Sequence, residues 1–481
     1  MVVIGHGMIG ARFAEEIRRR DPHGAAVALT VLGAESRPAY NRVLLSSALA
    51  GGPATGPVAL HPPGWASEHG VDLRTGVAAT AIDRDARELH AADGSRLPYD
   101  ELVLATGCRA WLPPVDGLAG PDGSPSENVS LFRDADDCDR ILATAAPGAR
   151  VAVLGGGLLG VEAARGLVAR GTSVTLVHPA SHLMERHLDA ESGDVLAARL
   201  GALGIDVRCG VAAKAWDPAS GLDCDDGTRV AADAVVVAAG VRAETELAAA
   251  AGLAVDRGIL VDDRMATADG RVHAIGDCAQ HPGAADGIVQ SGWDQAEVLA
   301  DLLTGADPSA RYRGTRAVTR LKARGIDLAA IGDVRSARDG EERLRFSDPH
   351  RGRYATLVLR GDRVAGAILL GLPVAAATIT GLYDSGEPAP TDRLALMLGR
   401  ALPSGAGDAA DPGRLPGSSV ICRCHTVTKN TLVTAWREGA TDVETLSGRT
   451  RAGTGCGGCR DTLAGICDWL TDADPPQREA A

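Results

Sequence analysis

The amino-acid sequence predicts an α/β protein with two similar dinucleotide-binding units, an α+β segment after them and a small cysteine-bearing module at the C-terminal side. Three observations predict it. A strand–glycine turn–helix pattern opens the chain and returns about 150 residues later. Residues 311–370 alternate apolar and polar in short runs, the pattern of an antiparallel sheet, and helices follow to about residue 400. Two tight cysteine pairs lie beyond a stretch rich in Pro, Gly and Ser.

In the first unit, residues 1–4 form an apolar strand, Gly5-His6-Gly7-Met8-Ile9-Gly10 is the turn, and residues 11–20 continue as a helix. This is G-x-G-x-x-G between a strand and a helix, where it binds a pyrophosphate. Gly5 permits the tight turn, Gly7 lets the phosphates approach the backbone, and Gly10 lets the helix pack on the sheet. The helix N-terminus offers unpaired N–H groups and partial positive charge. A second strand spans 27–32, and Glu35 soon after it is able to accept hydrogen bonds from a ribose.

The second unit repeats this order. Residues 151–154 are the strand, Gly155-Gly156-Gly157-Leu158-Leu159-Gly160 the turn, 161–170 the helix and 174–177 the next strand. Two complete fingerprints predict two dinucleotides. Residues 102–107, ending Ala105-Thr106-Gly107, and 235–240 echo one another as crossing segments between the units. A short strand ends in Gly276-Asp277, and a helix covers 292–303.

Length and composition bound the alternatives. The 481 residues leave room for about three domains. Hydrophobic residues make up 45% and charged residues 23%, which excludes extensive disorder. A net charge of −13 repels phosphate backbones and argues against nucleic acid as a partner. Only three of the 49 basic residues are lysine, a bias we read as codon usage. Residues 1–4 already read as a strand, so no targeting segment is expected. The uncharged run 364–383 has the length of a membrane span, but Pro373 and its glycines divide it into a buried strand and a helix, so no membrane is expected. Ten cysteines in this length do not make a disulfide scaffold, and the expected compartment is the cytoplasm.

On these motifs the chain resembles the FAD-dependent pyridine-nucleotide oxidoreductases, over residues 1 to about 400. The resemblance implies two nested Rossmann-like domains, FAD on the first fingerprint and NAD(P)H on the second. It implies that Asp277, with Gly276, bonds the ribityl chain of FAD, that Arg133 in Leu131-Phe132-Arg133 lies near the flavin, and that Glu162 lies close to the stacked nicotinamide and flavin rings. Thr106 and Gly107 fall in the first crossing segment, and Arg42 in Pro38-Ala39-Tyr40-Asn41-Arg42-Val43-Leu44-Leu45-Ser46-Ser47 matches a segment that packs on the flavin. Members that reduce ferredoxins or rubredoxins often carry Lys where this chain has Ser47. The family acid after the second strand aligns with Ala34, one place before Glu35.

In the second unit His178 follows the strand where NAD(H) enzymes carry an acid. An acid there repels a 2′-phosphate, so its absence permits NADPH, with His178 and Arg186 as candidate contacts. Related disulfide reductases carry a cysteine pair soon after the first unit. Residues 35–60 hold none, which excludes a thiol relay there.

The cysteine pairs are Cys422-Arg423-Cys424-His425 and Cys456-Gly457-Gly458-Cys459. Four thiolates suit a [2Fe–2S] cluster or tetrahedral zinc. The spacing, with glycines crowding the second pair, resembles the bacterioferritin-associated-ferredoxin-like (BFD-like) [2Fe–2S] domain. That resemblance implies Cys422, Cys424, Cys456 and Cys459 as ligands, whereas Cys467, in an apolar helical run, reads as core. The expected domains are therefore 1–108 with 233–308 for FAD, 109–232 for NAD(P), 309–400 as an α+β interface domain, 401–418 as linker, 419–472 for the cluster and 473–481 as tail.

A nicotinamide delivers two electrons together, a cluster accepts one at a time, and flavin does both, which sets the order of the carriers. The whole arrangement resembles the N-terminal half of assimilatory NAD(P)H nitrite reductases without their sirohaem-binding continuation. It implies an electron-transfer subunit that serves an assimilatory nitrate or nitrite reductase. The alternatives are a reductase for a ferredoxin or rubredoxin in another pathway, an NAD(P)H oxidase or peroxidase with a structural zinc module, and a redox-sensing or iron-delivery interaction protein.

Overall fold

The computed structural model describes residues 1–51, 58–283, 287–334, 339–400, 412, 415, 417, 419–422, 425, 427–455 and 458–474. It divides into two compact units, the first comprising residues 1–42, 57–111 and 240–317, and the second residues 43–56, 112–239 and 318–481.

The first unit is built on a five-stranded parallel sheet in the order Val272–Ala274, Leu102–Leu104, Val2–Ile4, Leu29–Gly33, Val71–Thr75. Val3 pairs with Val31 on one side and Val103 on the other. The strands Val2–Ile4, Leu102–Leu104 and Val272–Ala274 are buried at every position, because both faces of the sheet are covered. Helices Met8–Arg20 and Val289–Thr304 cover one face, packing Phe13, Ile17 and Leu299 on Val3, Val31 and Val103. On the other face Ile82 and Leu89, from a small antiparallel sheet, meet Val2, Ile4, Leu102 and Leu104. The first helix begins at Met8, three residues before the expected start. Its first turn is made inside the fingerprint, so that Gly10 is helical.

The second unit repeats this sheet in the order Ile205–Cys209, Ser173–His178, Arg150–Leu154, Ala234–Val237, Val129–Leu131, again with parallel pairing. Ala234–Val237 thus belongs to the second sheet, not to the FAD domain in which the 233–308 boundary placed it. The apolar run carries no mark of which of two similar sheets it joins; only its pairing with Val151–Leu154 decides. Residues 43–56 also fall in this unit.

The expected antiparallel sheet runs in the order Val318–Arg320, Leu328–Gly332, Arg363–Leu370, Arg353–Arg360, Glu341–Asp348. Its strand at 354–359 does not alternate, because every residue there is buried. Ala355, Leu357 and Leu359 pack against Ile379 and Leu382 of helix Pro373–Ser385. On the opposite face Tyr354 donates its hydroxyl proton to Asp189 at 2.6 Å, at the head of helix Ala190–Ala202. The 364–383 run is accordingly a buried strand followed by a helix. Among the described residues no helix is long and apolar enough to cross a membrane.

The C-terminal segment pairs Val420–Cys422 with Val427–Thr428 and adds helices Lys429–Arg437, Val443–Thr450 and Arg460–Ala473. Thr428 and Asp442 cap two of these helices through their side chains. Leu432, Trp436, Leu446, Leu463, Ile466 and Leu470 are buried, and Cys467 is buried with them as expected of a core residue.

Candidate functional site

Both glycine turns have the same geometry. Gly5 has φ +110°, and a Cβ on it would stand 2.2 Å from the Ala105 carbonyl oxygen. A Cβ on Gly10 would stand 1.8 Å from the Gly5 carbonyl oxygen. Gly155 repeats the first constraint, with φ +110° and Ala238 O at 2.3 Å, and Gly160 repeats the second, with Gly155 O at 1.8 Å. These four positions accept only glycine, for reasons internal to the fold. Gly7 and Gly157 differ: a Cβ on either meets nothing within 4 Å. Each is the residue just before its helix, so open space lies against unpaired helix N–H groups. That is the cradle a pyrophosphate needs, and the two turns fit FAD and NAD(P)H on this ground.

Around the first turn, Glu35 accepts a hydrogen bond from the Tyr40 hydroxyl at 3.0 Å and an ion pair from Arg42. The expected ribose acceptor and the expected flavin-segment arginine are therefore bound to one another. Thr106 donates to the Glu244 carbonyl at 2.9 Å, and Gly107 follows with φ +73°. The Cys108 thiol donates to Asp277 at 3.1 Å. Gly276, with φ +79°, packs on Ile9 of the fingerprint, and its N–H donates to the Gln295 side chain at 2.7 Å. The Gly276-Asp277 segment is thus brought onto the first turn itself.

Around the second turn, His178 is buried and accepts the Gly156 N–H on Nδ1 at 3.0 Å. Its Nε2 faces the Glu185 carboxylate at 3.0 Å. The imidazole is committed on both nitrogens, and the phosphate contact expected of it is not what the geometry presents. Glu162 is buried on helix Leu158–Ala169, and its carboxylate accepts the Lys322 backbone N–H at 2.9 Å. Arg133 enters helix Ala135–Thr144, where its N–H donates to the buried Asp137 carboxylate at 2.7 Å. Burial, with Asp137 nearby, pushes the Cys138 thiol up to about 12, which leaves it protonated and unreactive at neutral pH.

Of the cluster cysteines, Cys422 is buried at the end of its strand, and Cys459 is buried at the N-cap of helix Arg460–Ala473. A thiolate at a helix N-terminus is favoured by the helix dipole, and four thiolates are the donor set of a [2Fe–2S] cluster. Cys424 and Cys456 lie outside the described residues. The His425 ring stands 3.1 Å from the Thr454 hydroxyl.

Glu185, Cys108, Gln295 and Lys322 were not singled out from the sequence. Lys322 and Gln295 act through one backbone N–H and one amide side chain, which leave no compositional trace. Glu185 carried a usable signal, as an acid shortly after a strand that lacks one at its end.

Comparison with known proteins agrees with this geometry. Residues 1–297 match the family model described as pyridine nucleotide-disulphide oxidoreductase. Residues 318–386 match the rubredoxin NAD+ reductase C-terminal domain, and residues 420–469 match the BFD-like [2Fe-2S] binding domain. The chain is 33% identical to the nitrite reductase [NAD(P)H] of Bacillus subtilis (strain 168) over 480 residues, covering 98% of this chain and 58% of that one. It is 30% identical to the assimilatory nitrate reductase electron transfer subunit of the same organism, covering 98% of this chain and 60% of that one. It therefore spans about three fifths of the length of these two relatives. The ferredoxin reductase for the CYP199A2 system from Rhodopseudomonas palustris superposes with a TM-score of 0.73 at 25% identity, covering 84% of this chain and 99% of that one. FAD, NAD(P)H and a [2Fe–2S] cluster are the groups these domain types bind. The chain belongs to the pyridine nucleotide-disulphide oxidoreductase family and carries a BFD-like [2Fe–2S] binding domain.

Proposed function

We propose that this protein is an NAD(P)H-dependent electron-transfer subunit that serves an assimilatory nitrate or nitrite reductase. The observation that supports it best is the presence, on one chain, of two open glycine turns and a four-cysteine module. Bound FAD would supply the chemistry that links a two-electron hydride donor to a one-electron acceptor.

The protein's own residues would bind and orient. Gly5, Gly7 and Gly10 would shape the FAD turn with Glu35 and Arg42 beside it, Gly276 and Asp277 would bond the ribityl chain, and Thr106 and Gly107 would contribute from the crossing segment. Gly155, Gly157 and Gly160 shape the nicotinamide-nucleotide turn, His178 holds Gly156 in place, and Glu162 holds the Lys322 segment. Cys422, Cys424, Cys456 and Cys459 would hold the iron. Cytoplasmic location follows from thiol ligands that need a reducing compartment.

The matched rubredoxin-reductase domain at residues 318–386 supports a second acceptor class, a small ferredoxin or rubredoxin. Anaerobic mixing of the NAD(P)H-reduced protein with each acceptor separates the two. Rapid reduction of nitrate or nitrite by the corresponding reductase supports the proposal. Turnover only with the small redox protein favours the second acceptor.

A further inference from the structure

The second strand of the nucleotide unit ends in a histidine, and the segment behind it folds back onto the turn. Gly156 is gripped on both sides of its peptide. Its N–H donates to His178 Nδ1 at 3.0 Å, and its carbonyl accepts from the Met184 N–H at 2.9 Å. A Cβ on Gly156 would stand 2.6 Å from Leu183 and 2.7 Å from the His178 ring, so the turn is cut to receive this segment. Met184 is fully buried with φ +52°, a left-handed backbone that a side-chain-bearing residue rarely adopts. The strain places the next residue, Glu185, on the imidazole.

The hydrogen bonds settle the tautomer. Nδ1 accepts from Gly156, so it carries a lone pair and the proton sits on Nε2, which donates to Glu185 at 3.0 Å. Both ring nitrogens of His178 are engaged within the fold, so neither is offered to a phosphate. The charge at this strand end is instead the Glu185 carboxylate, whose side chain is 37% exposed. Arg186, next in the chain, is exposed and contributes neither of the bonds that fix the turn.

An acid at the end of the second strand of such a unit accepts hydrogen bonds from the ribose 2′-hydroxyl and repels a 2′-phosphate. Here the role is divided. His178 takes the backbone N–H, and Glu185, seven residues on, supplies the charge. We propose that Glu185, fixed by His178 at the second glycine turn, is the specificity-determining residue that selects a nicotinamide nucleotide with a free 2′-hydroxyl, so that the protein prefers NADH to NADPH. This rests on the assignment of the nucleotide to the second turn.

The test is calorimetric titration of the purified, flavin-loaded full chain with NAD+ and with NADP+. The wild type should bind NAD+ at least about tenfold more tightly. Glu185→Gln should bring the ratio to within about threefold, chiefly by tighter NADP+ binding, and Glu185→Arg should invert it. Circular dichroism and flavin content report that the variants fold. A wild type that binds NADP+ as tightly as NAD+, or a ratio unmoved by both substitutions, overturns the proposal while leaving the turn assignment intact. Binding of neither nucleotide overturns both.

Discussion

The Glu162 carboxylate accepts the backbone N–H of Lys322 at 2.9 Å. Glu162 lies one turn into the helix behind the second fingerprint, and Lys322 lies in the loop between the first two strands of the antiparallel sheet. Arg165, three residues on, donates to the Arg324 carbonyl at 2.9 Å, and Arg199 donates to the Gly325 carbonyl at 3.2 Å. One helix face and a neighbouring arginine thus hold this loop by its backbone.

Removal of that acceptor has a defined consequence. Glu162→Ala should lower stability by about 1–2 kcal/mol, because it leaves a partly buried N–H without its acceptor. Glu162→Gln keeps an acceptor oxygen and should cost under about 1 kcal/mol. Urea unfolding of both variants checks this. Stopped-flow flavin reduction then reports whether the residue also matters to hydride transfer.

The glycines separate fold from binding. Gly5→Ala places a Cβ on the Ala105 carbonyl at a positive φ and should destabilise by more than about 2 kcal/mol. Gly7→Val and Gly157→Val enter open space and should leave the fold intact. The first should purify without flavin. The second should keep its flavin and lose nucleotide binding. Thermal melts, absorbance spectra and calorimetry read these outcomes.

For the cysteines, Cys456→Ser or Cys422→Ser should abolish iron and acid-labile sulfide while flavin content and its reduction by NAD(P)H persist. Cys467→Ser, a buried helix residue, should retain the iron and lose about 1–3 kcal/mol of stability from the buried hydroxyl. Metal analysis distinguishes them.

Two histidines predict an acid limb. Burial, with His61 beside it, lowers His6 from the ordinary 6.5 to about 4. Burial, with His69 and Arg12 nearby, lowers His61 to about 4 as well. Both are neutral when folded at pH 7. Below pH 6.5 the unfolded chain takes up protons that the folded chain does not. Stability should therefore fall as pH drops from about 6.5 to 4, by at most about 1.4 kcal/mol per pH unit for each ring. Urea titrations at pH 7, 6 and 5 should show the fall, and His61→Gln should flatten it.

The fingerprints were legible in the sequence because their constraints are local. Gly5 and Gly10 meet within one turn, and so do Gly155 and Gly160. The parallel strands were legible as apolar runs, and the cysteine pairs as spacing. What escaped depends on distant partners. Nothing near Glu162 announces Lys322, and nothing near Asp277 announces Cys108. The alternation at 354–359 misled because helices cover both faces of that strand. His178 read as a phosphate contact because its position along the strand says nothing of the Gly156 N–H and Glu185 that occupy its ring.

Anaerobic titration with NADH, followed by both absorbance and electron paramagnetic resonance, tests the central claim most directly. The account predicts loss of the flavin absorbance together with a paramagnetic signal from a reduced [2Fe–2S] cluster. Flavin bleaching with no such signal, in protein that holds zinc in place of iron, would contradict it.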